Sequence, residues 1–309
     1  MTKIKAFSSE KLIKKIEKSD YKYSFKQTNT IPNCNELENA LEREIDLKNF
    51  TKKTVLGIDI YKYSQFEPLE QTLVPVLFKL IYNEAARLCL SQSKYLFQNY
   101  KKSEDFNDEF ISTGDGGFQI FPTPLHAVAF AIRFEMIVRY YNSYHFYPKL
   151  RKLIGSISLR YAMTYDKVFR LDDNFFGPSI INNDRILSKD SLNRFLLDQN
   201  TFDWFMFNMN GIENLQFIST SEIGNFSSFK NYNQKLKDEI FPDKMDFTFQ
   251  KIISTNIQKI GDITAKSTSL SIYNFHLQYL GGLKEKEIIN EKFTMSTISL
   301  GNLNTSGIE

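Results

Sequence analysis

The chain has 309 residues, a formal net charge of +3, and 42% apolar against 24% charged residues, with 28 Phe and 16 Tyr but one Trp. That length holds one large domain with extensions, or at most two domains of about 150 residues. The lysines are scattered rather than striped, which is not the footprint of a nucleic-acid or membrane-surface binder, and no apolar stretch reaches the ~18 residues that cross a bilayer.

Residues 1–53 are polar and lysine-rich, and Ser8-Ser9-Glu10 is suited to cap a short helix through Leu12, Ile13 and Ile16. The segment reads as an extension packed on the main domain. Thr54 to Ile60 is a nearly continuous apolar run, the pattern of a strand covered on both faces. Leu69, Leu73, Val76, Leu77, Leu80, Ile81, Ala85 and Leu88 then fall at helical spacing, with Pro75 near the first turns. Glu109–Thr113 and Phe118–Phe121 flank Gly114-Asp115-Gly116-Gly117, which predicts a hairpin with an Asp-Gly turn.

Leu125 to Tyr141 is a second apolar-periodic helix, and Ile157 to Thr164 a strand. A helix is expected from Asn183 to about Leu197, while Phe202–Phe217 has no clear period. Residues 259–266 and 270–278 predict a closing hairpin, and the polar chain from Gly281 reads as a tail. The resulting division is 1–53, 54–280 and 281–309. Strand, helix, hairpin, helix, strand, helix, hairpin is an α+β order, with helices on a mainly antiparallel sheet.

Asp59 lies between Ile58 and Ile60, where an unpaired carboxylate would carry a desolvation cost of several kcal/mol. It must sit at an exposed strand end, pair with a basic residue, or hold a metal. Asp115 has a simpler explanation, since Asp-Gly favours a tight hairpin turn. Cys34 and Cys89 have no metal-type or disulfide-type spacing, and no secretory pattern is read at the N-terminus, so reduced thiols are expected. His126, His145 and His276 share no spacing and read as structural.

Gly57-Ile58-Asp59-Ile60 with Tyr63-Ser64, a long helix, then Ser112-Thr113-Gly114-Asp115-Gly116 at a hairpin resembles the metal-binding part of the class III nucleotidyl cyclases. The resemblance implies a ferredoxin-like βαββαβ core and an active site that closes a nucleoside triphosphate to a cyclic nucleotide. Asp59, Asp115 and the carbonyl of Ile60 would hold two Mg²⁺ or Mn²⁺ ions. It continues through Gly177 to Arg185, whose role would be to stabilise charge on the α-phosphate. Asn182 is the ribose-orienting candidate, although the family's Asn falls at Ile181. Gly261-x-Ile263-x-x-Lys266 is similar to the strand that supplies a phosphate-binding lysine. In that family homodimers share their sites, with the aspartates from one subunit and the Arg and Lys from the other. Taken alone, Arg185 also reads as a surface helix arginine and Lys266 as a plain hairpin lysine.

The family's two base-reading positions carry Ile111 and Asn174 here, so neither purine pattern is present; Ile cannot hydrogen-bond. Gly57-Ile58-Asp59-Ile60 with Tyr63-Ser64, Gly114-Asp115-Gly116-Gly117, Asp184-Arg185-Ile186, Asp203-Trp204-Phe205, and Ile272-Tyr273-Asn274 with Gln278 together resemble the pyrimidine cyclases of the bacterial Pycsar anti-phage system. That likeness spans residues 54–280. It implies a cytoplasmic enzyme making cyclic UMP or cyclic CMP for a separate effector. Tyr61 or Tyr63 would contact the base, and core packing explains either tyrosine equally well. An adenylate cyclase with a non-standard pocket and a degenerate nucleotide-binding module remain open.

Overall fold

The computed structural model describes residues 4–18, 35–45, 50–208, 217–219, 247–265, 268–286 and 291–308. Strand β1 (Ala6–Phe7) and helices α1 (Ser9–Glu17) and α2 (Asn35–Ile45) precede the central strand β2 (Lys52–Ile60). Helix α3 (Pro68–Gln92), strands β3 (Phe110–Ser112) and β4 (Gly116–Phe121), and helices α4 (Pro124–Asn142) and α5 (Pro148–Ile154) follow. Next come β5 (Leu159–Lys167), β6 (Phe169–Leu171), β7 (Asn174–Phe176), α6 (Pro178–Lys189), β8 (Phe195–Asp198) and α7 (Gln199–Asn208). Strands β9 (Phe217–Ser219), β10 (Phe247–Ala265), β11 (Thr268–Lys286) and β12 (Glu291–Leu300) complete the order.

The main sheet runs β3-β4-β2-β5-β8-β11-β10-β9, with β12 also on β11. Strand β2 is antiparallel to both β4 and β5. Within β2-α3-β3-β4-α4-β5, this is the ferredoxin-like βαββαβ arrangement expected from the sequence. The fold is α+β.

Alternation along β2 assigns its two faces. Leu56, Ile58 and Ile60 join the large core with α3 and α4, whereas Val55 joins a second cluster with Ile180 and Leu187 of α6. The strand is therefore covered on both sides, which is why it reads as an unbroken apolar run. Helix α3 continues through Pro75. Helix α4 is buried along nearly its whole length.

Several boundaries differ from expectation. The hairpin closes through Thr113 N–H donating to the Gly116 carbonyl, 3.1 Å, and the positive φ falls on Gly114 (105°). Gly114-Asp115, not Asp115-Gly116, is thus the central pair, with glycine first as a type II′ turn prefers. The helix expected over 183–197 starts at Pro178 and stops at Lys189, and Phe195–Asp198 is a buried strand. Part of the aperiodic stretch after Phe202 is α7, which begins at Gln199 and is capped by Asp198 accepting from Thr201 N–H, 2.9 Å. The tail expected over 281–309 contains β12, which pairs with β11 and buries Ile298 and Leu300 in the core.

Strand β1 pairs parallel with β6 in a small three-stranded sheet, and the Phe7 ring lies 5.8 Å from Phe50 and 6.2 Å from Phe169.

Candidate active site

Asp59 stands near the end of β2, opposite Gly116 on β4 and Arg160 on β5. Gly116 tolerates no side chain there, because a Cβ would come within 2.1 Å of the Ile58 carbonyl oxygen. Glycine thus lets the hairpin lie close enough to bring Asp115 beside Asp59. The Ile60 N–H donates to the Asp115 carbonyl at 3.3 Å, tying the hairpin tip to β2.

The two carboxylates act on each other. Burial, then the negative charge of Asp59, raises the Asp115 carboxyl above its ordinary value, while Arg160 draws it back in part. The Asp59 carboxylate is paired with the Arg160 guanidinium, with side chains 15% and 26% exposed. Of the three explanations open for a charge in this strand, the structure shows the pairing with a basic residue. Arg160 also donates through Nη1 to the Asp190 carbonyl, 2.8 Å.

The neighbouring residues divide sharply. Tyr61 donates its hydroxyl to the Ser191 carbonyl, 3.2 Å, on the same turn that holds Arg160. Lys62 follows in the left-handed region at φ 60°. Tyr63 points into the core, donating its hydroxyl to the Gln71 carbonyl of α3 at 2.9 Å and packing on Phe66.

Helix α6 rests on β2 and β5 through a buried asparagine. Asn183 Nδ2 donates to the carbonyls of Val55 (2.8 Å) and Ala162 (3.0 Å) and to Thr164 Oγ1 (3.2 Å). A Cβ on Gly57 would meet Asn183 Oδ1 at 2.1 Å, so Gly57 makes room for this contact. Asn182 and Arg185 are half-buried on the same helix and contact each other, with Arg185 Nη1 donating to Asn182 Oδ1 at 3.2 Å. Asp59 takes Arg160, not Arg185, as its ion-pair partner.

Ile111 lies on β3 opposite Phe118 and packs with Val55, Phe118 and Phe175. Asn174 opens β7 in the small sheet, where its Oδ1 accepts from Phe175 N–H at 2.9 Å. Neither is joined to the carboxylate pair by these contacts. Lys266 and Cys34 lie outside the described residues. Cys89 is buried, its thiol pushed up to about 12 by desolvation, so it is no nucleophile. His126 is held between Thr123 Oγ1 and the Leu96 carbonyl, and burial lowers it to about 4. His276 is buried on β11.

Sequence reading missed Arg160, although its signal was present: a lone arginine in the apolar run Ile157–Thr164, beside a strand with a lone aspartate. It also missed Asp198, whose cap role appears only once α7 is placed.

The donor set suits a hard divalent cation. Two carboxylates converge at the junction of β2 and the hairpin, and their mutual repulsion is what a cation would relieve. Among the described residues no group of three or more His, Cys, Asp or Glu could enclose a metal by itself. Any ion here would complete its shell with water and substrate oxygens, as Mg²⁺ commonly does.

No protein-family model and no curated protein matches the sequence. Among solved structures the chain is similar to an adenylate/guanylate cyclase/hydrolase from Silicibacter pomeroyi, at 13% identity over 72% of this chain and 95% of that one, TM-score 0.36. It is similar to the catalytic core of a rhodopsin-guanylyl cyclase with converted specificity in complex with ATPαS, at 11% identity, 73% and 94% coverage, TM-score 0.41. A bacterial light-regulated adenylyl cyclase gives 9% identity, 85% and 77% coverage, TM-score 0.34. Likeness at this distance does not establish a family. No helix among the described residues is long and apolar enough to cross a membrane.

Proposed function

We propose that this protein is a nucleotidyl cyclase that converts a pyrimidine nucleoside triphosphate, UTP or CTP, to its 3′,5′-cyclic monophosphate and pyrophosphate. The observation that carries the reading is the Asp59–Asp115 carboxylate pair, built by a ferredoxin-like core from the two motifs the sequence singled out. In the reaction the ribose 3′-oxygen forms a bond to the α-phosphorus, the bond from that phosphorus to the β-bridging oxygen breaks, and the hydroxyl proton is released. Two divalent cations, Mn²⁺ or Mg²⁺, supply activation of the hydroxyl and neutralisation of the triphosphate when bound.

Asp59 and Asp115 supply the carboxylate oxygens, and the Ile60 carbonyl is the third donor in this reading. Arg185 is assigned to the developing charge at the α-phosphate and Asn182 to the ribose. Lys266 is assigned to the terminal phosphates. Arg185 and Lys266 act on the site of the partner subunit in a homodimer. Ile111 and Asn174 line the base pocket without the polar groups that read purines, which favours a pyrimidine, and Tyr61 flanks it. The cyclic product would act on a separate effector in anti-phage defence, and the enzyme would be cytoplasmic.

The test is to incubate the full chain with each of the four NTPs and Mn²⁺ and to identify products by mass. Cyclic UMP or cyclic CMP, abolished by EDTA, is the expected result. Cyclic AMP alone would assign an adenylate cyclase with an unusual pocket. Turnover of none of the four, with nucleotide still bound, would leave a binding module.

A further inference from the structure

The turn Asp190–Arg194 presents two successive carbonyls to the carboxylate site. Asp190 O accepts from Arg160 Nη1 at 2.8 Å, and Ser191 O accepts from the Tyr61 hydroxyl at 3.2 Å. Arg160 pairs with Asp59, and Tyr61 follows Asp59 by two residues, so one turn holds two neighbours of Asp59. What holds the turn is remote. Arg194, 1% exposed, donates Nε (3.0 Å) and Nη2 (2.6 Å) to Asp190 Oδ1. Its Nη1 reaches the main-chain carbonyls of Ser306 (2.7 Å) and Asn304 (3.4 Å). Asn302 adds a second tie, donating Nδ2 to the carbonyl of Asn193 at 2.8 Å.

A buried ion pair contributes little net stability over an apolar replacement, because desolvation offsets the attraction. A guanidinium, however, fixes several acceptors in one plane. Here one planar group joins a side chain of the turn to the backbone after β12. We propose that Arg194 is a positioning residue: with the 302–306 segment it sets the Asp190–Arg194 turn, and through it the orientation of Arg160 and Tyr61 at Asp59. Its catalytic consequence rests on the cyclase reading; the positional coupling does not.

The experiment compares the full-length parent with Arg194→Lys and Asn302→Ala. The Arg160 side-chain Nε–H is followed by ¹⁵N NMR in nucleotide-free protein, assigned by its loss in Arg160→Lys, and cyclic nucleotide formation is measured alongside. In the parent the Arg160 signal is expected as one sharp line. In both variants it broadens or moves toward the position of a solvated guanidinium. The maximal rate falls about tenfold in Arg194→Lys, the scale of a sub-ångström misplacement, with the KM for NTP changed less than about twofold. Should Arg194→Lys fail to fold, Asn302→Ala, altered at an exposed contact, carries the test. An Arg160 signal unchanged in the folded variants overturns the proposal. A signal that responds in proteins turning over no NTP upholds the coupling and removes the cyclase reading instead.

Discussion

Asp115 is costly to the fold and central to the proposed chemistry, so the two should separate on mutation. Because burial and Asp59 raise its carboxyl, its ionised form is disfavoured in the folded chain. Asp115→Asn is expected to lower turnover by more than about 100-fold, beyond the usual loss for an outer-shell partner of a metal. Its melting temperature should equal or exceed the parent's. A large fall in melting temperature would reassign Asp115 to turn formation alone. Asp198 makes a cleaner pH probe because it lies away from the carboxylate pair. Burial raises it from 3.8 to about 6, so between those values the folded chain keeps a proton that the unfolded chain has released. Rising pH therefore favours unfolding across that window. Asp198→Asn keeps the acceptor for Thr201 N–H and abolishes the titration. It should match the parent near pH 4 and be more stable at pH 7 by on the order of 2–3 kcal/mol, read by denaturant melts at both values. At this scale Asp59 was legible because a charge in an apolar strand demands an explanation. Arg160 carries that same anomaly one strand away, and only the β2–β5 register shows that each is the other's partner.

Among the elements, α6 depends most on a single small residue. Gly57→Ala would drive a methyl into the Asn183 amide and toward Leu187 Cδ1, 2.7 Å away. Overpacking of this kind costs roughly 1–3 kcal/mol. The cost falls on the helix that bears Asn182 and Arg185, so turnover should drop with melting temperature, and a variant unchanged in both would show that α6 can shift freely. Strands β2 and β4 and helices α3 and α4 were legible because their apolar periods are long and one-signed. The end of α6 was not, because Phe195-Leu196-Leu197 is a three-residue apolar run that period alone cannot assign to helix or strand. Gly177 at φ 138° followed by Pro178 marks the true start of the helix. Strand β12 was hidden by the polar residues around it in sequence, and the buried side chains described in it, Ile298 and Leu300, fall at its end.

For the whole molecule, the proposed division of labour between subunits makes a sharp prediction. Asp59→Ala and Arg185→Ala should each be inactive as homodimers, yet regain roughly a quarter of parental turnover when equal amounts exchange into a symmetric dimer. Recovery would be read as cyclic product after subunit exchange is verified by a mass tag. No recovery in an exchanged population would place both residues in one subunit's site. The fold class itself was legible from element order, because a ferredoxin-like core follows from which runs are strands and how they are connected. The proposed pairing of subunits has no counterpart in periodicity, since surface helices and interface helices share the same pattern.

Strand β12 has a further consequence for how the cell makes this protein. Its partner β11 places Leu277 opposite Leu300 and Tyr279 opposite Ile298, so a chain still emerging from the ribosome leaves part of its apolar interior uncovered. The segment that grips Arg194 follows later still. A nascent chain is thus obliged to wait for β12 and the residues that follow it before the interior closes, and during that wait it is the species most exposed to aggregation and chaperone capture.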